Sequence, residues 1–146
     1  MSLSNSAETN LLKLLFQNID WANVGDAAGL QNSAADGSFY IGLATADPGE
    51  TGDQTSNEAT FTGYARVAVA RTTGGWTVSG NNVENAATIT FAACTGGSNT
   101  ITHFVVGRAS SGAGEIIVSG TVTPNLAVSN GITPSFAAGA LDCTAD

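Results

Sequence analysis

Phe39-Tyr40-Ile41-Gly42-Leu43 is the stretch on which the reading of this chain turns. Side chains of an extended strand alternate between two faces. Phe39, Ile41 and Leu43 therefore fall on one side, and Tyr40 and Gly42 on the other. The pattern recurs downstream, where Val67 and Val69 alternate with Arg66, Ala68 and Ala70. Trp76 and Val78 form a short run ended by Gly80-Asn81, and residues 88–91, 101–106 and 115–122 are rich in β-branched and aromatic side chains. Residues 132–141 read as a last strand interrupted by Pro134. A proline offers no N–H to a ladder, which confines that segment to a sheet edge or a strand start.

Glycine-rich turns separate these runs: Thr73-Gly74-Gly75, Gly80-Asn81-Asn82, Gly96-Gly97-Ser98 and Ser111-Gly112-Ala113-Gly114. Many short strands divided by such turns predict an all-β fold, an antiparallel β-sandwich or jelly-roll-like domain. No repeat recurs along the chain, which argues against a solenoid, a propeller or a β-helical fibre shaft.

The N-terminal region differs. Asn5 and Glu8 stand three residues apart in the manner of a capping box, which predicts a helix over residues 7–20. Leu12, Leu15, Phe16 and Ile19 share one helical face, Leu11 widens it, and Trp21 follows. This stripe has two readings: a lid on the domain's own core, or an arm docked on a neighbouring subunit. Residues 22–37 turn to Gly, Ala, Asn and Asp and predict a loop running over a surface. The expected division is thus an N-terminal helix and extended arm over 1–37, and a β-sandwich domain over 38–146. In the docked-arm reading the partner-binding residues are Leu11, Leu12, Leu15, Phe16, Ile19, Trp21, Asn23 and Leu30.

Composition narrows the function. Charged residues make up only 11% of the chain, so its surface must be built largely from Thr, Ser, Asn, Gly and small apolar side chains. Such a surface suits a protein that works inside an assembly. Twelve acidic residues against four basic ones give a net charge of −8. Lys13, Arg66, Arg71 and Arg108 are scattered, which argues against nucleic acid as a partner, since phosphate binding needs clustered cations. No apolar run is long enough for a membrane-spanning helix. Met1-Ser2-Leu3-Ser4 lacks the basic and apolar regions of a signal peptide, so the chain is expected to stay in the compartment where it is made. Cys94 and Cys143 then read as two buried thiols, with a bridge between late strands as the alternative.

The search for reactive chemistry yields little. His103, the only histidine, lies in the apolar run Ile101-Thr102-His103-Phe104-Val105, without a Gly-x-Ser-x-Gly elbow or an acid at a recognisable spacing. A hydrogen-bonded strand residue is its expected role. Asp47-Pro48-Gly49-Glu50-Thr51-Gly52-Asp53, with Glu58 beyond, is the densest acidic patch, yet it lacks the spacing of an EF-hand. It reads as a solvated loop, with calcium as the weaker alternative. Two cysteines and one histidine cannot close a four-ligand zinc site, and no glycine-rich stretch ends as a phosphate loop must. No catalytic residue, metal or cofactor is therefore expected.

One likeness covers essentially the whole chain. The order Phe39-Tyr40-Ile41-Gly42-Leu43-Ala44-Thr45-Ala46-Asp47-Pro48-Gly49, polar loop, Asn57-Glu58-Ala59-Thr60-Phe61-Thr62-Gly63-Tyr64-Ala65-Arg66-Val67-Ala68-Val69 resembles a family of small proteins from tailed-phage structural gene clusters. Trp21-Ala22-Asn23-Val24-Gly25-Asp26, Trp76-Thr77-Val78, Asn85-Ala86-Ala87, Ile101-Thr102-His103-Phe104 and Gly131-Ile132-Thr133-Pro134-Ser135-Phe136 are similar to it as well. Ala44 stands where many members carry a histidine. The resemblance implies a non-enzymatic virion structural protein. It is expected as a capsid decoration (cement) protein, made in the host cytoplasm and bound to the major capsid protein on the head surface, with a homotrimer favoured. The alternative it implies is a tail-fibre or receptor-binding module.

Overall fold

The computed structural model describes residues 2–25 and 28–145. Asp26, which closes one of the family-like motifs, and Ala27 of the expected loop lie outside the described residues. The elements begin with a helix α1 (Asn5–Gln17), followed by β1 (Ser38–Ala44), β2 (Val67–Ala70), β3 (Trp76–Ser79) and β4 (Asn82–Asn85). They continue with β5 (Ile89–Thr90), β6 (Ser98–Gly107), β7 (Ile116–Ser129), β8 (Ser135–Phe136) and β9 (Asp142–Thr144). The fold is all-β with antiparallel sheets and one short N-terminal helix, as the alternation predicts.

Two compact units make up the chain: Ser38–Val69 with Ile89–Ser135, and Met1–Gly37 with Ala70–Thr88 and Phe136–Asp146. The first contains most of a four-stranded sheet ordered β2-β1-β6-β7. In β1, Ile41 and Leu43 lie opposite Val106 and Phe104 of β6, and all four are buried. Gly42 and Ala44 are buried too, so the strand is covered on both faces along its second half. Gly42 is needed there: a Cβ would come within 2.8 Å of Val105 and 3.2 Å of the Tyr64 hydroxyl.

β7 runs well past the expected end at Val122, through Pro124 to Ser129. Between the pairs Ile101↔Leu126 and His103↔Thr121 it carries extra residues in a bulge, and Pro124 sits inside that bulge. A ladder bond is not required there, which is how a proline is tolerated within the strand. The last expected strand is shorter than residues 132–141. The Pro134 and Ile132 carbonyls accept from Phe91 and Cys94 N–H at 2.9 and 2.8 Å, but only Ser135–Phe136 pairs as a strand.

In the second unit β3 and β4 form a hairpin closed by Gly80-Asn81, and β9 adds to β4 in antiparallel register. Helix α1 is capped by the Ser4 side chain, which accepts from the Ala7 N–H at 3.3 Å, rather than by Asn5. It ends at Gln17, not at Asp20, because Asn18 turns left-handed at φ 54° and returns its N–H to the Lys13 carbonyl. The segment expected as an extended arm thus belongs to a unit completed by β3, β4 and β9. The apolar face of α1 needs a covering, and the hairpin supplies it. Both cysteines are free, with Cys94 buried and Cys143 only half-buried.

Candidate interaction surface

The helix stripe divides between core and surface. Leu12 and Phe16 are 4% and 1% exposed, and the Phe16 ring meets Trp76 edge-on at 4.8 Å. These two residues are therefore core, and the expectation that they contact a partner is corrected: the lid reading applies to them. Leu11 and Leu15 are half-buried. Ile19 and Leu30 are 41% and 43% exposed, Trp21 is half-buried, and Asn23 is exposed at φ 63°. Trp21 and Leu30 exchange main-chain bonds of 3.0 and 2.9 Å. Gly29 is obligatory at that closure, since a Cβ would lie 2.1 Å from the Trp21 carbonyl.

The loop following the helix is tied down rather than wandering. Buried Asn18 donates to the Ser33 carbonyl and the Asp36 carboxylate at 3.0 and 3.1 Å, and its own side-chain oxygen accepts from the Ser33 N–H at 2.8 Å. Arg71 donates to the carbonyls of Leu15, Leu14 and Asp36 at 2.5, 2.9 and 3.2 Å. A cation placed on the last carbonyls of a helix satisfies acceptors that the helix leaves open and complements its dipole.

A second arginine organises the four-stranded unit. Arg66 binds both oxygens of Glu58, Nε at 2.6 Å and Nη2 at 2.8 Å, and its side chain is 2% exposed. Two further N–H groups reach the carbonyls of Gln54 and Ala109, each at 3.0 Å. Tyr64 donates to Glu58 at 3.0 Å and accepts from the Leu43 N–H of β1 at 3.0 Å. Gln54, itself buried, donates to the Tyr40 carbonyl at 3.3 Å and accepts from the Ala109 N–H at 2.8 Å. Burial drives the Tyr64 hydroxyl above its ordinary range, and the neighbouring Glu58 charge adds to the shift. Burial alone would lower the Arg66 guanidinium, but the Glu58 carboxylate outweighs it and the net shift is upward. Connected in this way, the network locks two polar loops onto β1.

The acidic loop uses its carboxylates locally. Asp47 accepts from the Gly49 N–H at 2.9 Å, and Asp53 accepts from the Thr55 hydroxyl and N–H at 2.5 and 2.7 Å. Those Thr55 bonds lower the Asp53 pKa. Among the described residues no group of three or more His, Cys, Asp or Glu could hold a metal ion. His103 is half-buried and its ring lies 2.8 Å from the Thr102 hydroxyl. Arg108 forms an exposed pair with Glu115 at 2.8 Å. Three of the four basic side chains are thus engaged within the chain. Between the acidic loop and the start of β7 lies an open concavity of about 530 Å³, walled by Asp47, Glu50 and Gly52 on one side and residues 115–119 on the other.

The fold therefore defines a small antiparallel β protein whose charged residues largely brace its own loops. The model of a phage virion structural family described as "Podophage GP4 fiber I protein gp80" matches residues 2–144, and the chain belongs to that family. No curated protein matches it. The network that sequence reasoning missed sits inside the motif that carried the resemblance. Tyr64, Arg66 and Glu58 stand in the resembling stretch, and Glu58 was read only as part of an acidic patch, whereas Gln54 gave no signal beyond its polarity in a polar loop.

Proposed function

We propose that the chain is a non-enzymatic structural module of a phage fibre, the alternative expectation rather than capsid decoration. The observation that carries this is the family match over nearly the whole chain, to a family described as a fibre protein. The interior supports it. The buried Arg66 spends four of its N–H groups inside the chain, on both oxygens of Glu58 and on two carbonyls, so its role is to brace loops. A charge-poor surface fits a life among protein neighbours, and closed symmetry, with a homotrimer favoured, lets one interface serve each copy. Ile19, Asn23 and Leu30 are the candidate contacts that remain exposed, and Leu11, Leu15 and Trp21 are half-buried.

Location and copy number test the reading together. Immunogold labelling and quantitative mass spectrometry of purified particles are expected to place the chain on fibres, at an abundance far below that of the major capsid protein. Label spread over the head, at an abundance approaching the capsid subunit, would overturn the fibre assignment and restore capsid decoration with the major capsid protein as partner.

A further inference from the structure

We infer that the outer edge of β7, at the concavity beside the acidic loop, docks a short extended segment of another protein that carries a lysine or arginine. β7 is the terminal strand of its sheet, bonded to β6 on one side only. Its flank is already begun by the chain itself: Asp53 bridges Glu115 in antiparallel fashion, and the Gln54 N–H donates to the Gly114 carbonyl at 2.9 Å. The loop then turns away at residues 49–52. Beyond Glu115, among the described residues, no main-chain hydrogen bond reaches β7 from its outer side. One bridge of a further strand is in place, and the next positions are open.

The register of β7 limits what can fill them. Val106↔Val118 followed by Gly107↔Ile116 leaves Ile117 as an extra residue, a bulge at the start of the strand. The larger bulge around Pro124 interrupts the other end. Between them only residues 118–121 hold a regular ladder to β6. Bulges at both ends of an exposed edge prevent long strand-on-strand pairing with another copy, while a few consecutive ladder positions accept a short peptide.

Charge selects the occupant. Exposed Asp47 and Glu50 form the opposite wall, and Glu115 stands at the near end. A second copy is poorly matched to that wall, because it carries a net charge of −8 and three of its four cations are already engaged. An extended segment with one basic side chain meets both requirements: its main chain continues the sheet, and its cation faces the two carboxylates. The seam is a property of this sheet and stands apart from the fibre assignment.

The test uses the full chain, isotopically labelled and observed by NMR. The probe is a short capped peptide of alternating threonine and valine with a central lysine, compared with the same peptide bearing glutamate instead. The lysine peptide is expected to shift the amides of residues 116–121 and slow their hydrogen exchange. The glutamate peptide, and the lysine peptide against a D47N/E50Q variant, are expected to bind about five-fold more weakly or worse, as two exposed charge contacts imply. Asp47→Asn keeps an acceptor for the Gly49 N–H, so an unchanged melting temperature shows that the variant is folded. No shift with the lysine peptide, equal binding of both peptides, or protection of these amides by concentration alone (a second copy) would each overturn the proposal.

Discussion

Arg66 and Arg71 stand at either end of β2, and the contrast between them shows how few charges this chain uses and how differently. Arg66 is an ion-pair centre: its fork grips both oxygens of Glu58, and two further N–H groups close on two carbonyls. Arg71 grips main chain, namely the last carbonyls of α1 and that of Asp36 in the loop beyond. Both pin polar loops that have little apolar surface of their own. The difference lies in what each would leave behind. Removing Arg66 strands a carboxylate whose side chain is 20% exposed, whereas removing Arg71 strands neutral main-chain carbonyls.

The largest effect should follow from breaking the first site. Arg66→Met keeps much of the side-chain volume but leaves Glu58 without its cation, and loss of one partner of a buried pair costs about 3–5 kcal/mol. Because Glu58 is not wholly buried, the lower end of that span is expected in urea unfolding. Glu58→Gln should cost less, since the neutral amide still accepts from Tyr64 and Arg66 keeps its two carbonyl bonds. The double variant, Arg66→Met with Glu58→Gln, should be less unstable than the two single losses added together. If the double variant were as unstable as the sum of the two singles, the network would not be the cooperative unit its geometry describes.

The second site should give a smaller loss, about 2 kcal/mol for Arg71→Ala, from charge-assisted bonds to carbonyls that water partly replaces. The signature is local. Amide exchange should accelerate in the last turn of α1 and in residues 30–36, while the amides of β1 and β6 keep their protection. Equal acceleration in both regions would mean that Arg71 braces more than the helix end.

A third substitution sharpens the account of how tightly the first network is seated. A Cβ on Gly107 would lie 2.2 Å from the Gln54 amide carbon, and Gln54 is 1% exposed, so it has nowhere to swing. Gly107→Ala should therefore cost about 1–3 kcal/mol by overpacking, read as a lowered midpoint of chemical unfolding at unchanged slope. Gly112→Ala, with open space around its Cβ but φ at +71°, gives a comparison in which only backbone strain acts.

Much of the fold was legible because it rests on alternation. Phe39, Ile41 and Leu43 are buried as their spacing requires, and Val67 and Val69 are less exposed than Ala68 and Ala70. β4 was not legible, because Asn82-Val83-Glu84-Asn85 offers a single apolar side chain. Asn85 is buried there on the strength of hydrogen bonds to the carbonyls of Ala87 and Ala137 and from the Leu141 N–H, partners that come from distant parts of the sequence. The helix stripe was legible as a stripe, but periodicity cannot say which half of it meets the chain's own hairpin. Tyr64 and Arg66 were recognisable without being interpretable, since their chemistry depends on Glu58 and Gln54 being returned to them by a loop. The bulges in β7 left no trace beyond Pro124, because a register shift is a property of two strands and appears in neither sequence alone.

The smallest expected effect concerns pH, and it isolates the first network from the second. Tyr64 is held neutral in the folded chain by burial, so its folded pKa lies above the unfolded value of 10.0. A group whose pKa is raised by folding contributes stability fully below its unfolded pKa, and that contribution falls as pH rises above it. Between pH 10 and 11 the unfolded chain gains a phenolate that the folded chain refuses, which amounts to about 1 kcal/mol per pH unit. The test is a difference between variants. The stability of Tyr64→Phe, although lower at neutral pH because the Leu43 N–H loses its acceptor, should fall less steeply from pH 10 to 11 than that of the unaltered chain. Arg71→Ala should retain the full alkaline slope, because its loop contains no buried phenol. Parallel slopes for Tyr64→Phe and the unaltered chain would show that Tyr64 ionises freely, and that the Glu58–Tyr64–Arg66 network is open to water rather than sealed.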